Sequence, residues 1–185
     1  MFSQPQQRSF STLSIVVKRK NVGETDRIVT LLTESQGKLV CVAKGARKMN
    51  SSKRALLEPG CLIKAFLIKT KSMPLLTQAE LINDFTQAKQ SLPQIRKLTQ
   101  VLEIVDRLFT EGEEDSQLFS QVVEILTDLN RTRHSSSLIK EKLNSIITAL
   151  GYQSLQDSQY SNYLDYVASL SERPMRSFEY LTIKA

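Results

Sequence analysis

The apolar residues of this chain follow one rhythm up to about Ile82 and another after it. In the first stretch they fall into short runs broken by turn-forming residues. Ile15-Val16-Val17 is followed by Asn21-Val22-Gly23. Ile28 to Thr33 ends at Glu34-Ser35-Gln36-Gly37, a hairpin connection with glycine where a positive φ is needed. Leu39 to Ala43 ends at Lys44-Gly45, Leu62 to Ile68 makes a fourth run, and Leu75 to Leu81 a fifth, entered through Pro74. Five short strands in roughly 70 residues, bounded by Gly and Pro, predict a small barrel. Gly37 to Gly45 reads equally as a curved inner strand and as a run between two turn glycines.

Beyond Leu81 the period lengthens. Ile95, Leu98, Leu102, Val105 and Phe109 recur every three or four residues, one apolar stripe of a helix, with Pro93 near its first turn and Gly112 past its end. Leu118, Val122, Ile125 and Leu129 repeat the pattern, and the acids from Glu111 to Asp115 stand where the dipole at a helix start favours them. A third stripe runs through Leu138/Ile139, Leu143, Ile146/Ile147 and Leu150 and closes at Gly151. Residues 157–171 predict one more short helix, stopped by Pro174. One apolar face per helix is the pattern of a bundle. The expected architecture is α+β in two parts, a five-stranded barrel over residues 1–83 and an all-α domain over residues 84–185.

Composition narrows the chemistry. With 185 residues, 41% of them hydrophobic, the chain can bury a packed core. No apolar run approaches the roughly 18 residues of a membrane span, and Leu13 to Val17 is too short for the apolar region of a secretory signal. Arg8, Lys18, Arg19 and Lys20 precede the first acid, Glu24, a pattern shared with transit peptides. A frayed polar tip before a first strand is the simpler reading, and a cytoplasmic protein is expected. The two cysteines, Cys41 and Cys61, are too few for a disulfide framework or a four-ligand zinc site. The one histidine, His134, stands in a Ser-rich loop, and no glycine-rich phosphate loop occurs. Glu24 and Asp26 read as turn caps rather than half a magnesium site. A protein without catalytic constellation, metal or cofactor is expected.

Charge is unevenly spread. Residues 1–85 carry fourteen Lys plus Arg against six Asp plus Glu, a net +8, while the remainder carries eleven against thirteen, a net −2. Lys44 to Arg54 alone holds five cations and no acid, with Gly, Asn and Ser that read as a flexible loop. A basic barrel suggests a polyanion held through phosphate contacts. Before residue 86 the only aromatics are Phe2, Phe10, Phe66 and Phe85, so phosphate contacts are expected to dominate over base stacking.

Val16-Val17-Lys18-Arg19, then Gly23-Glu24-Thr25-Asp26-Arg27-Ile28-Val29-Thr30-Leu31-Leu32-Thr33, Gly37-Lys38-Leu39 and Ala43-Lys44-Gly45-Ala46-Arg47-Lys48 closely resemble the RecO recombination mediators. So do Leu75-Leu76-Thr77-Gln78-Ala79-Glu80-Leu81, Leu102 to Phe109 with Glu111-Gly112-Glu113, and Leu150-Gly151-Tyr152. The resemblance covers about residues 13–153 and implies an N-terminal OB-fold followed by a helical domain. It also implies bacterial homologous repair: binding of single- and double-stranded DNA, annealing of complementary strands, and help in loading RecA onto strands coated by single-strand-binding protein. RecR and the acidic C-terminal tail of the single-strand-binding protein are the implied partners. By the same resemblance Lys18, Arg19, Arg27, Lys38, Lys44, Arg47 and Lys48 contact DNA, and Gly23, Gly37 and Gly45 are turn residues of the barrel. Lys53 and Arg54 join the DNA-binding set from the basic stretch. Arg131 and Arg133 are the candidate cations for the acidic tail.

Many relatives carry a four-cysteine zinc module in the helical part; here no cysteine follows Cys61, so no zinc module is expected. In residues 154–185 no motif is read that extends the resemblance. On the charge map alone two other readings stay open: an OB-fold RNA-binding or ribosome-associated protein, which would need 2′-hydroxyl contacts, and a basic adaptor for acidic proteins.

Overall fold

The computed structural model describes residues 8–131 and 136–177. Its first half is a closed ring of five strands: β1 (Ser9–Val22), β2 (Asp26–Thr33), β3 (Gly37–Ala43), β4 (Leu62–Ile68) and β5 (Leu75–Asn83). Their order around the ring is β1-β2-β3-β5-β4, antiparallel throughout except between β3 and β5, which meet in parallel at Val42 and Leu75. This is an OB-fold. A single helical turn, α1 (Lys53–Leu56), lies between β3 and β4.

Ser14 to Val17 are all buried, without the alternation of a half-exposed strand. Both faces of β1 are covered there. Val16 points into the barrel with Val29, Leu31, Cys41, Ile63 and Leu67, while Ile15 and Val17 point out against the helices. A register shift between Val16 and Lys18 marks a bulge that bends β1 around the ring. Cys41 and Cys61 are both buried free thiols.

Among the described residues a short 3-10 turn (Thr86–Lys89) and four α-helices follow: α2 (Leu92–Leu108), α3 (Ser116–Leu129), α4 (Ser136–Ala149) and α5 (Tyr163–Ser171). Pro93 lies in the first turn of α2, where its missing N–H costs nothing. The buried stripe of α2 begins at Leu98, since Ile95 is 41% exposed. Of the acids before α3 only Asp115 caps it, accepting the Leu118 N–H at 2.8 Å. On α4 Ile139, rather than Leu138, faces the core. The last helix is shorter than residues 157–171: it starts where the Asn162 side chain accepts the Asp165 N–H at 2.9 Å, and Glu172, at φ 53°, ends it before Pro174.

The helices and the barrel wall share one apolar cluster, in which Ile15, Val17, Leu32 and Leu62 meet Leu98, Val101, Leu102 and Val105 of α2. A second approach joins the parts at Gly37, whose φ is +61° and where any Cβ would strike the Glu113 backbone carbonyl. Among the described residues no helix is long and apolar enough to cross a membrane.

Candidate nucleic-acid interface

The β1–β2 turn and the stretch after β3 are clasped together at one end of the barrel. Asp26 Oδ1 accepts the Gly45 N–H at 2.8 Å and the Thr25 hydroxyl at 3.0 Å. Arg47 donates its backbone N–H to the Thr25 carbonyl at 2.8 Å and a guanidinium N–H to the Gly23 carbonyl at 3.0 Å. These donors, Gly45 first, favour the anionic form and hold the Asp26 carboxyl below the usual carboxylate range. The two motifs most distinctive in the sequence thus form one device: the acid of the first turn pins the cationic turn that follows β3.

The stretch expected to be a flexible loop is instead a chain of hydrogen-bonded turns. Lys48 N–H donates to Gly45 O at 3.2 Å, Ser51 N–H to Lys48 O at 3.0 Å, and Arg54 N–H to Ser51 O at 3.1 Å. The Lys53 ammonium closes back on the Lys44 carbonyl at 2.9 Å. Lys44, Lys48 and Arg54 are exposed along this path, and Arg47 and Lys53 are half-buried.

The other basic residues of the candidate set have different occupations. Glu58, between α1 and β4, takes Arg19 at 2.8 Å on one oxygen and Arg27 at 3.3 Å on the other. Arg27 also donates to the Arg54 carbonyl at 3.0 Å. It is only 6% exposed, and burial lowers its pKa. Arg27 thus serves as a strut beneath the basic turns, with little of its side chain open to solvent. Lys18 pairs with Asp106 of α2 at 3.0 Å, and Lys38 donates to the Asp106 backbone carbonyl at 2.7 Å. Burial lowers the Lys38 pKa, with the charges of Asp106 and Glu111 opposing it. Lys18, Arg19 and Lys38 line a cleft of about 1070 Å³ between the barrel wall, α2 and residues 171–176. Arg131 is paired with Asp128 at 3.0 Å, and Asp128 also takes Lys142 at 2.7 Å. Arg133 and His134 lie outside the described residues.

Two cations belong with the basic turns although the spacing along the chain does not group them. Lys69 and Lys71 stand exposed on the β4–β5 turn. The Val42 N–H donates to the Pro74 carbonyl at 2.9 Å, which brings that turn beside Lys44. The parallel meeting of β3 and β5 is the cause, and no local pattern announces it. The result is a rim of Lys44, Arg47, Lys48, Lys69 and Lys71, joined by exposed Lys20 at the end of β1.

Residues 8–85 match the family model for "Recombination protein O N terminal". A DNA repair protein RecO from Syntrophomonas wolfei is 30% identical over 144 residues, 78% of this chain and 58% of that protein. The RecO of Clostridium acetobutylicum is 27% identical over 178 residues, 95% of this chain and 68% of its own length. The chain belongs to the RecO family. The Bacillus subtilis RecO is 34% identical over 116 residues, 63% of this chain and 46% of that protein. The chain thus spans little more than half of the first of these relatives. The family match covers the barrel, including the clasped turns and the β4–β5 turn of the basic rim.

Proposed function

We propose that this RecO-family chain binds single- and double-stranded DNA on the basic rim of its barrel and acts as a mediator of DNA repair and homologous recombination. It anneals complementary strands and helps RecA load onto strands coated by single-strand-binding protein, with RecR and that protein's acidic tail as partners. It works in the cytoplasm and performs no bond-making or bond-breaking chemistry itself.

The observation that carries this reading is the pinned run from Lys44 to Arg54, five cations without an acid, presented by turns rather than by a loose loop. Annealing brings two polyanions together, so its barrier is largely phosphate repulsion. Fixed cations that neutralise phosphates lower that barrier and leave the pairing edges of the bases free. Pinning matters because a cation already held in place loses less conformational entropy when a phosphate arrives.

The test is annealing of complementary oligonucleotides coated with the cognate single-strand-binding protein, comparing the unaltered chain with Lys44→Glu/Arg47→Glu/Lys48→Glu. Fast annealing by the first and none by the second is the expected result. No annealing by either overturns the proposal, and a preference for RNA strands over DNA turns it toward an RNA-binding protein.

A further inference from the structure

The wall formed by β1, β4 and β5 carries an aromatic ring that neither core uses. Ile63, Ala65 and Leu67 of β4 point into the barrel, so Lys64, Phe66 and Ile68 point outward. Ser11 of β1 and Gln78 of β5 flank Phe66 in register. Ser11, Lys64, Ile68 and Gln78 are all exposed, and Phe66 is half-buried among them. Phe66 belongs to neither hydrophobic cluster. The Lys64 ammonium stands 5.6 Å from the centre of its ring. Just past the end of β4, at the mouth of the barrel, Lys69 stands 5.6 Å from the centre of the ring of Phe10, which packs against the inner cluster.

We propose that this wall is a base-stacking platform for single-stranded nucleic acid, continuous with the basic rim. Phe66 takes the face of an unpaired base, and Lys64 and Lys69 take the flanking phosphates. The inference rests on the rim reading above and adds to it a contact that a duplex cannot make. Bases in a duplex already cover each other's faces, so rim cations grip either form of DNA while the ring engages only a single strand. Glu80 sits opposite Lys64 in the ladder and is exposed, which limits the positive charge of the wall. An acidic peptide therefore finds less attraction here than on the rim. The π-face of Phe66 is what distinguishes the site, and nucleobases are the partners whose flat faces match it. Stacking also leaves the pairing edges of the base exposed, as annealing requires.

The chain contains no tryptophan, so Phe66→Trp places a single reporting indole on the wall. Its emission is expected to be quenched by an oligothymidylate of about 20 nucleotides, and unaffected by an abasic strand of equal length or by a duplex. Phe66→Leu keeps the apolar volume and removes the π-face. It is expected to weaken oligothymidylate binding about ten-fold, with duplex affinity and salt dependence unchanged. If oligothymidylate binds by anisotropy yet the F66W emission and the F66L affinity do not change, the platform is refuted and the rim reading stands. Equal quenching by polyglutamate refutes the nucleic-acid assignment and favours an acidic protein. If no oligonucleotide binds at all, the rim reading falls together with the platform.

Discussion

Glu58 is the side chain on which the underside of the basic rim depends, and Glu58→Gln tests that dependence. The substitution keeps the shape and removes the charge that faces Arg19 and Arg27. Arg27 is then left with the Arg54 carbonyl and a neutral amide, while its side chain is only 7% exposed. Breaking a fully buried pair costs about 3–5 kcal/mol, and an exposed pair is worth about 0–1 kcal/mol. The Glu58 side chain is 39% exposed, which places the loss between these limits, at about 2 kcal/mol. For a chain of this size that lowers the melting temperature by roughly 4–8 °C. Far-UV circular dichroism melts measure it directly. High salt should leave most of the loss in place, because the Arg27 end of the pair is shielded from counterions. A second substitution, Arg27→Met, should recover most of the stability by removing the stranded charge. A change of less than about 1 °C in the single variant refutes the reasoning, since a buried guanidinium that tolerates losing its counter-charge is not held by it.

Three further outcomes follow from the same structure. Neutralising two of the three exposed cations of the pinned turns with Lys44→Gln/Lys48→Gln should reduce the log–log salt slope of single-strand binding by about 1.4, read by anisotropy titrations at several salt concentrations; an unchanged slope places the phosphates elsewhere. Gly37→Ala should destabilise clearly more than Gly23→Ala in thermal melts. Both positions have positive φ, but the added methyl at residue 37 meets the Glu113 backbone, whereas nothing lies within 4 Å of the place a methyl would take at residue 23. Burial pushes the Cys41 thiol up to about 12 from an ordinary value of 9.0. The neutral thiol is thus favoured by the folded state, so its contribution to stability is fully present below about pH 9 and is lost as pH rises toward 12. Chemical denaturation across that range measures the slope, and a thiol reagent at pH below 9 should label Cys41 only after unfolding.

The strands β2 and β3 were legible because their apolar runs end at a glycine turn, and the ladder between Thr33 and Gly37 confirms where the hairpin closes. The first strand was legible only from Leu13. Its earlier half reads Ser-Phe-Ser-Thr, yet Thr12 and Ser14 are buried at 6% and 0% exposure, their hydroxyls bonded to nearby backbone carbonyls. Local pairing of this kind hides a buried strand from any hydropathy pattern. The four residues of α1 are too few to show a period. Charge could be counted from the chain, but its availability could not. Arg27 and Lys44 look alike in sequence, and only the distant Glu58 and the fold around α1 make the first a strut and leave the second at the surface. The role of Phe66 was hidden for the opposite reason. An aromatic inside an apolar strand reads as core until the ladder shows which way it faces.

The apolar contact between β1 and α2 has a mechanical consequence. Ile15, Val17, Leu32 and Leu62 are buried only because the helices cover them. A barrel cut after Asn83 would expose all four side chains as a sticky flank, so the two parts should melt in one step and the isolated barrel should aggregate. The same contact makes hinge motion costly, because any tilt of α2 would open this oily seam to water. The rim and the helical surface therefore stand at a fixed distance and angle. A partner that docks on the helices would meet the rim at a position already set, as a tool meets a workpiece held in a jig.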